Sequence, residues 1–95
     1  MLTLRIEHQV ADFDAWKQAF ESDPVGRERS GVRRYSISRV VDDPNYVMID
    51  LDFDSRSEAD GLLAAMRDVW GVVEPAGLVV GPQARIVQTV ETKEY

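Results

Sequence analysis

Residues 2–10 read Leu-Thr-Leu-Arg-Ile-Glu-His-Gln-Val, an alternation that runs without a break. In an extended chain Leu2, Leu4, Ile6, His8 and Val10 fall on one side, and Thr3, Arg5, Glu7 and Gln9 on the other. Successive strand side chains point to opposite faces, so this run is a strand with one buried face, and the rest of the chain must cover that face. The period then changes. Asp12 stands at an N-cap position with Asp14 in the first turn, where a negative charge meets the positive end of the helix dipole. Phe13, Trp16 and Phe20, extended by Ala15 and Ala19, form a stripe at helical spacing. This helix is expected to fade near Ser22-Asp23-Pro24, since the residue before proline avoids helical geometry.

A polar connection, Val25 to Gly31, leads to a second predicted strand over 32–41, with Tyr35, Ile37 and Val41 on one side. Asp42-Asp43-Pro44-Asn45 has turn composition. A third strand is expected over 46–53, with Val47, Ile49, Leu51 and Phe53 on its apolar face and Tyr46, Met48, Asp50 and Asp52 opposite. Ser55 and Glu58 match a capping box. Ala59, Leu62, Leu63, Met66, Val69 and Trp70 follow at helical spacing, with Gly71 as the expected stop and Gly61 as a weak point unless close packing requires it. Residues 72–82 read as a packed loop and 83–92 as a last strand. The order is β-α-β-β-α-β, one domain over 1–95. This predicts an α+β ferredoxin-like sandwich in which both helices cover one face of a four-stranded antiparallel sheet.

Composition narrows the function classes. Ninety-five residues suit one core. Eleven Lys and Arg against seventeen Asp and Glu leave a net charge of −6, the wrong sign for phosphate backbones or anionic lipid, so no nucleic-acid partner and no membrane are expected. No apolar run approaches the ~20 residues of a span. Residues 1–5 lack the pattern of a secretory leader, and the expected location is cytoplasmic. The absence of cysteine excludes a disulfide framework, a thiolate zinc site and a cysteine nucleophile. Asp42, Asp43, Asp52 and Asp54 lack calcium-loop spacing and there is no second histidine, so no metal is expected.

His8-Gln9-Val10-Ala11-Asp12-Phe13-Asp14-Ala15-Trp16-Lys17, Gly31-Val32, Asp42-Asp43-Pro44-Asn45 and Asp52-Phe53-Asp54-Ser55 together resemble the dimeric α+β-barrel superfamily. Within it they resemble the small bacterial antibiotic-biosynthesis-monooxygenase-like and polyketide-cyclase-like proteins. The resemblance implies a homodimer whose sheets pack into a shared barrel, a cavity between sheet and helices in each subunit, and no cofactor. It also implies chemistry on aromatic, polyketide-like substrates. In the haem-degrading branch an asparagine near the first strand and a histidine on the second helix carry function. Here the only asparagine is Asn45 and the only histidine is His8, which does not fit that branch.

His8, on an otherwise apolar face, is the candidate general base, because imidazole titrates near neutrality unaided. The competing reading is a core histidine bonded to a backbone carbonyl or to the carboxylate of Asp12 or Asp14. Tyr35 is the second candidate catalytic residue, through its hydroxyl. Trp16, Trp70, Phe53 and Phe20 are candidates to bind a small aromatic ligand, against the alternative that they are simply core. Asp50 and Asp52, neighbours on one strand face, are expected to pair with Arg5 or Arg34. The functional alternative to an enzyme is a non-catalytic structural or ligand-binding dimer filled by its own aromatics.

Overall fold

A computed structural model describes all of residues 1–95. The elements are β1 (Leu2–Val10), α1 (Phe13–Glu21), β2 (Arg34–Val40), β3 (Asp43–Phe53), α2 (Arg56–Val73) and β4 (Val79–Gln88). They form one four-stranded sheet in the order β2-β3-β1-β4, with every neighbouring pair antiparallel. This is the expected ferredoxin-like arrangement, and β1 occupies its expected range. Being central, β1 has a partner on each edge: Leu4 lies between Leu51 and Ile86, and Ile6 between Ile49 and Ala84.

The boundaries that differ do so for local reasons. The β2–β3 turn sits at Val41-Asp42, two residues before the expected one, because Val40 pairs with Asp43 and β3 begins there. Val41, expected inward, is therefore a turn residue in solvent. Pro44 is tolerated because β1 pairs β3 only from Tyr46 onward, so its missing N–H interrupts no central rung. Asn45 serves α1 rather than the local turn: its Oδ1 accepts the Phe13 N–H at 3.2 Å.

Helix α2 passes through Gly71 to Val73, since glycine at an exposed position weakens a helix without ending it. It is closed by a Schellman arrangement, with Gly77 at φ +79° and the Leu78 N–H on the Val73 carbonyl. Strand β4 starts at Val79, inside the segment expected to be loop, because Val79 is buried opposite Val10. It ends at Gln88.

The core joins the inner face of the sheet to α2: Leu4, Ile6, Val47, Ile49, Leu51 and Phe53 meet Ala59, Leu62, Leu63 and Trp70. Burying a large aliphatic or aromatic side chain is worth roughly 1.5–3 kcal/mol, so these residues hold the domain together. Helix α1 differs, since none of its residues is fully buried. It stands off the sheet, and that gap makes the site.

The outer face is polar and carries two Arg–Asp pairs, with Arg85, opposite Arg5, left without a carboxylate partner. Arg5 grips Asp50 with Nε at 2.9 Å and Nη2 at 3.2 Å, across the register that places them opposite one another. Asp52 accepts from Thr3 Oγ1 at 2.6 Å and from Arg34 Nε at 2.9 Å. Both expected Asp–Arg pairings are present.

Candidate functional site

Between α1, α2 and the inner sheet face lies a partly open cavity of about 310 Å³ with sixteen hydrophobic residues among its twenty lining residues. Strands β1 and β3 give Ile6, His8, Ile49 and Leu51 as the floor. Helix α1 gives Trp16 and Phe20, and α2 gives Leu62, Met66 and Trp70. The α1 stripe now has a reason: its aromatics line a space rather than fill it. Trp16 packs against Phe13 at 5.9 Å and against Phe20 at 5.3 Å, centroid to centroid, so the row is held by its own ring contacts.

His8 is 2% exposed and belongs to the cavity wall. Its Nδ1 lies 3.3 Å from the Gln9 carbonyl, which can only accept, so Nδ1 holds the proton and Nε2 presents a lone pair. Nε2 takes no hydrogen bond from the protein, and His8 is part of the cavity lining. The neighbour of His8 is therefore a backbone carbonyl and not a carboxylate; Asp12 instead caps α1, accepting the Ala15 N–H at 2.9 Å. Trp16 meets the imidazole edge-on at 5.8 Å and 70°. Burial pushes the His8 pKa below its ordinary 6.5, and the contact with the Gln9 carbonyl opposes only part of that shift. His8 is neutral at pH 7.

A break in the β1–β4 register falls at this residue. Glu7 pairs with Gln83 and Gln9 with Val80, so His8 faces the extra residues Gly81-Pro82, with Gly81 at φ +62°. Bulges bend a strand and re-aim its side chains, and this one sits beside the only imidazole.

The structure brings His8, Trp16, Phe20 and Trp70 together on one cavity. It places Tyr35 and Phe53 outside the lining. Phe53 is wholly buried in the core. Tyr35 packs edge-on against Phe20 at 5.2 Å from the β2 side and is 43% exposed. Among the lining residues not anticipated as part of a site, one is positively charged. Arg27, in the polar connection after α1, lays its guanidinium over the Phe20 ring at 3.9 Å. Its signal in the sequence was weak, because an arginine in a hydrophilic loop ordinarily faces solvent.

No family model matches the chain, and no curated protein sequence matches it. Solved structures do match over nearly the whole length. SnoaB, a cofactor-independent oxygenase from Streptomyces nogalater, superposes with a TM-score of 0.75 at 14% identity, covering 96% of this chain and 94% of that one. A dimeric ferredoxin-like protein from an uncultured marine organism gives 0.71 at 14% identity, covering 97% of both chains. A Nitrosomonas europaea protein provisionally named an antibiotic biosynthesis monooxygenase gives 0.71 at 18% identity, covering 96% and 100%. The chain thus has the ferredoxin-like α+β fold that these antibiotic-biosynthesis-monooxygenase-like proteins share.

Proposed function

We propose that this protein binds an aromatic, polyketide-like small molecule between α1 and the sheet and acts on it as a cofactor-independent monooxygenase, with His8 as the base. The observation that carries the reading is the open apolar cavity with a buried, neutral imidazole in its wall. Burial makes His8 a weak base toward water. It is a better base toward a bound enol or activated methylene, because the imidazolium forms beside the anion it has just created and the new charges pair at once. The carbanion passes an electron to dioxygen, the radicals combine to a peroxide, the imidazolium returns its proton to give the hydroperoxide, and loss of the second C–H proton as the O–O bond breaks leaves the ketone and water. The balance is CH2 + O2 → C=O + H2O, with carbon oxidised and dioxygen reduced. Trp16, Phe20 and Trp70 hold the flat substrate, and Tyr35 acts through Phe20.

The outer sheet face is proposed to meet a second copy, giving a homodimeric barrel. Its Arg5–Asp50 and Arg34–Asp52 pairs are already formed, while Arg85, opposite Arg5 in the register, has no carboxylate partner within the chain and would need one from the second copy. That a ferredoxin-like protein of similar structure is dimeric supports a two-chain assembly.

The test is dioxygen uptake with anthrone, an enolisable polycyclic ketone. One dioxygen should be consumed per ketone, and His8→Ala should lose about 10²-fold or more in rate while still folded and still binding. Undiminished turnover in that variant would remove the base. Binding without oxygen uptake in the wild type would leave a non-catalytic binding dimer.

A further inference from the structure

Resting on the cavity reading above, we propose that Arg27 makes this pocket selective for aromatic molecules that carry an anionic group, such as a carboxylate, sulfonate or phenolate. The cavity wall has three polar side chains, His8, Asp12 and Arg27. The Asp12 carboxylate holds the start of α1. That leaves an imidazole and a guanidinium, set at the two ends of the aromatic row: His8 against Trp16, Trp16 against Phe20, Phe20 beneath Arg27. A flat ligand on that row would meet the base at one end and a cation at the other.

The Arg27 fork is built into place. Asp23 has φ 56°, and its Oδ1 accepts the Arg27 backbone N–H at 2.9 Å. The Val32 N–H then bonds the Arg27 carbonyl at 3.0 Å, so the loop is tied on both sides of the residue. The Arg27 side chain is only 14% exposed. Nη1 donates to the Phe20 carbonyl at 2.7 Å and lies 3.4 Å from Asp23 Oδ1. Nε and Nη2 take no protein partner, which leaves donors for a ligand. A guanidinium stacked on Phe20 and 5.1 Å from the Tyr35 centroid keeps its plane fixed, so an oxyanion meets an oriented fork rather than a mobile charge. With a net charge of −6 on the chain, the long-range field does not attract anions, and the preference must arise at this residue.

The test uses two fluorescent probes with one skeleton: 8-anilinonaphthalene-1-sulfonate, and N-phenyl-1-naphthylamine, which lacks the sulfonate. Quenching of Trp16 and Trp70 reports binding, and displacement of one probe by the other establishes a shared site. The wild type should bind the sulfonate about tenfold tighter or more, the range of a charge-assisted hydrogen bond. Arg27→Gln should abolish that ratio while keeping affinity for the neutral probe. Arg27→Lys, which keeps the charge and serves if the glutamine variant fails to fold, should retain part of it. A wild type that binds both probes equally, or an Arg27→Gln variant that keeps the preference, overturns the role of Arg27 and leaves the cavity reading standing. If neither probe binds, the cavity reading falls with it.

Discussion

At the scale of single residues, His8 is the proposed base and also ties stability to pH. Its folded pKa lies below the unfolded 6.5 because burial disfavours the cation. Between those two values the unfolded chain binds more protons, so stability is fully present above about pH 6.5 and falls as pH drops through the folded value. His8→Gln removes this dependence. Melting curves of the two proteins from pH 7.5 to 5 should therefore diverge below pH 6.5, the wild type losing more; parallel curves would show that His8 is freely hydrated. Activity should follow the same group in the same direction, falling as His8 is protonated and reaching a plateau once it is neutral. His8 stood out in the sequence because one imidazole interrupted an apolar alternation. Arg27 did not, because the stacking that defines it joins residues from α1, β2 and the loop between them.

At the scale of elements, α2 carries a removable weakness. Gly61 is exposed, and a Cβ there would meet nothing within 4 Å. No close packing requires this glycine, so Gly61→Ala should stabilise the domain by about 1 kcal/mol, read as a melting temperature higher by roughly 4–8 °C. Gly31 is the contrary case. It has φ +101°, and a Cβ would lie 2.3 Å from Glu58 Oε2. Gly31→Ala should destabilise by more than about 1 kcal/mol, through backbone strain that movement of Glu58 cannot relieve. At the helix start, Ser55 Oγ accepts the Glu58 N–H at 3.3 Å, and Ser55→Ala should cost about 1 kcal/mol. That cap was legible because a capping box is a pattern within four residues. The shifted β2–β3 turn was not: Asp42-Asp43-Pro44-Asn45 has turn chemistry, but its placement depends on how far β3 extends beyond the end of β1.

At the scale of the whole molecule, the two sheet faces do different work: the inner one meets the core and the cavity, and the outer one carries Arg–Asp pairs and an unpartnered Arg85, with Met48 38% exposed among them. Light scattering should give twice the 10.7 kDa chain mass. Met48→Lys, placed opposite Glu7 and so harmless to the single subunit, should shift the assembly toward monomer; a wild-type mass equal to one chain would remove the proposed barrel. The sequence by itself determined the element order, the inward faces of β1 and β3, both helix caps and the candidate imidazole, because side-chain period and capping are local properties of the chain. The tertiary structure alone decided that α1 stands off the sheet, that His8 faces a bulge and a cavity, and that Arg27 turns inward. Each of these depends on the spacing between surfaces that come from distant parts of the chain, and no local pattern encodes a distance of that kind.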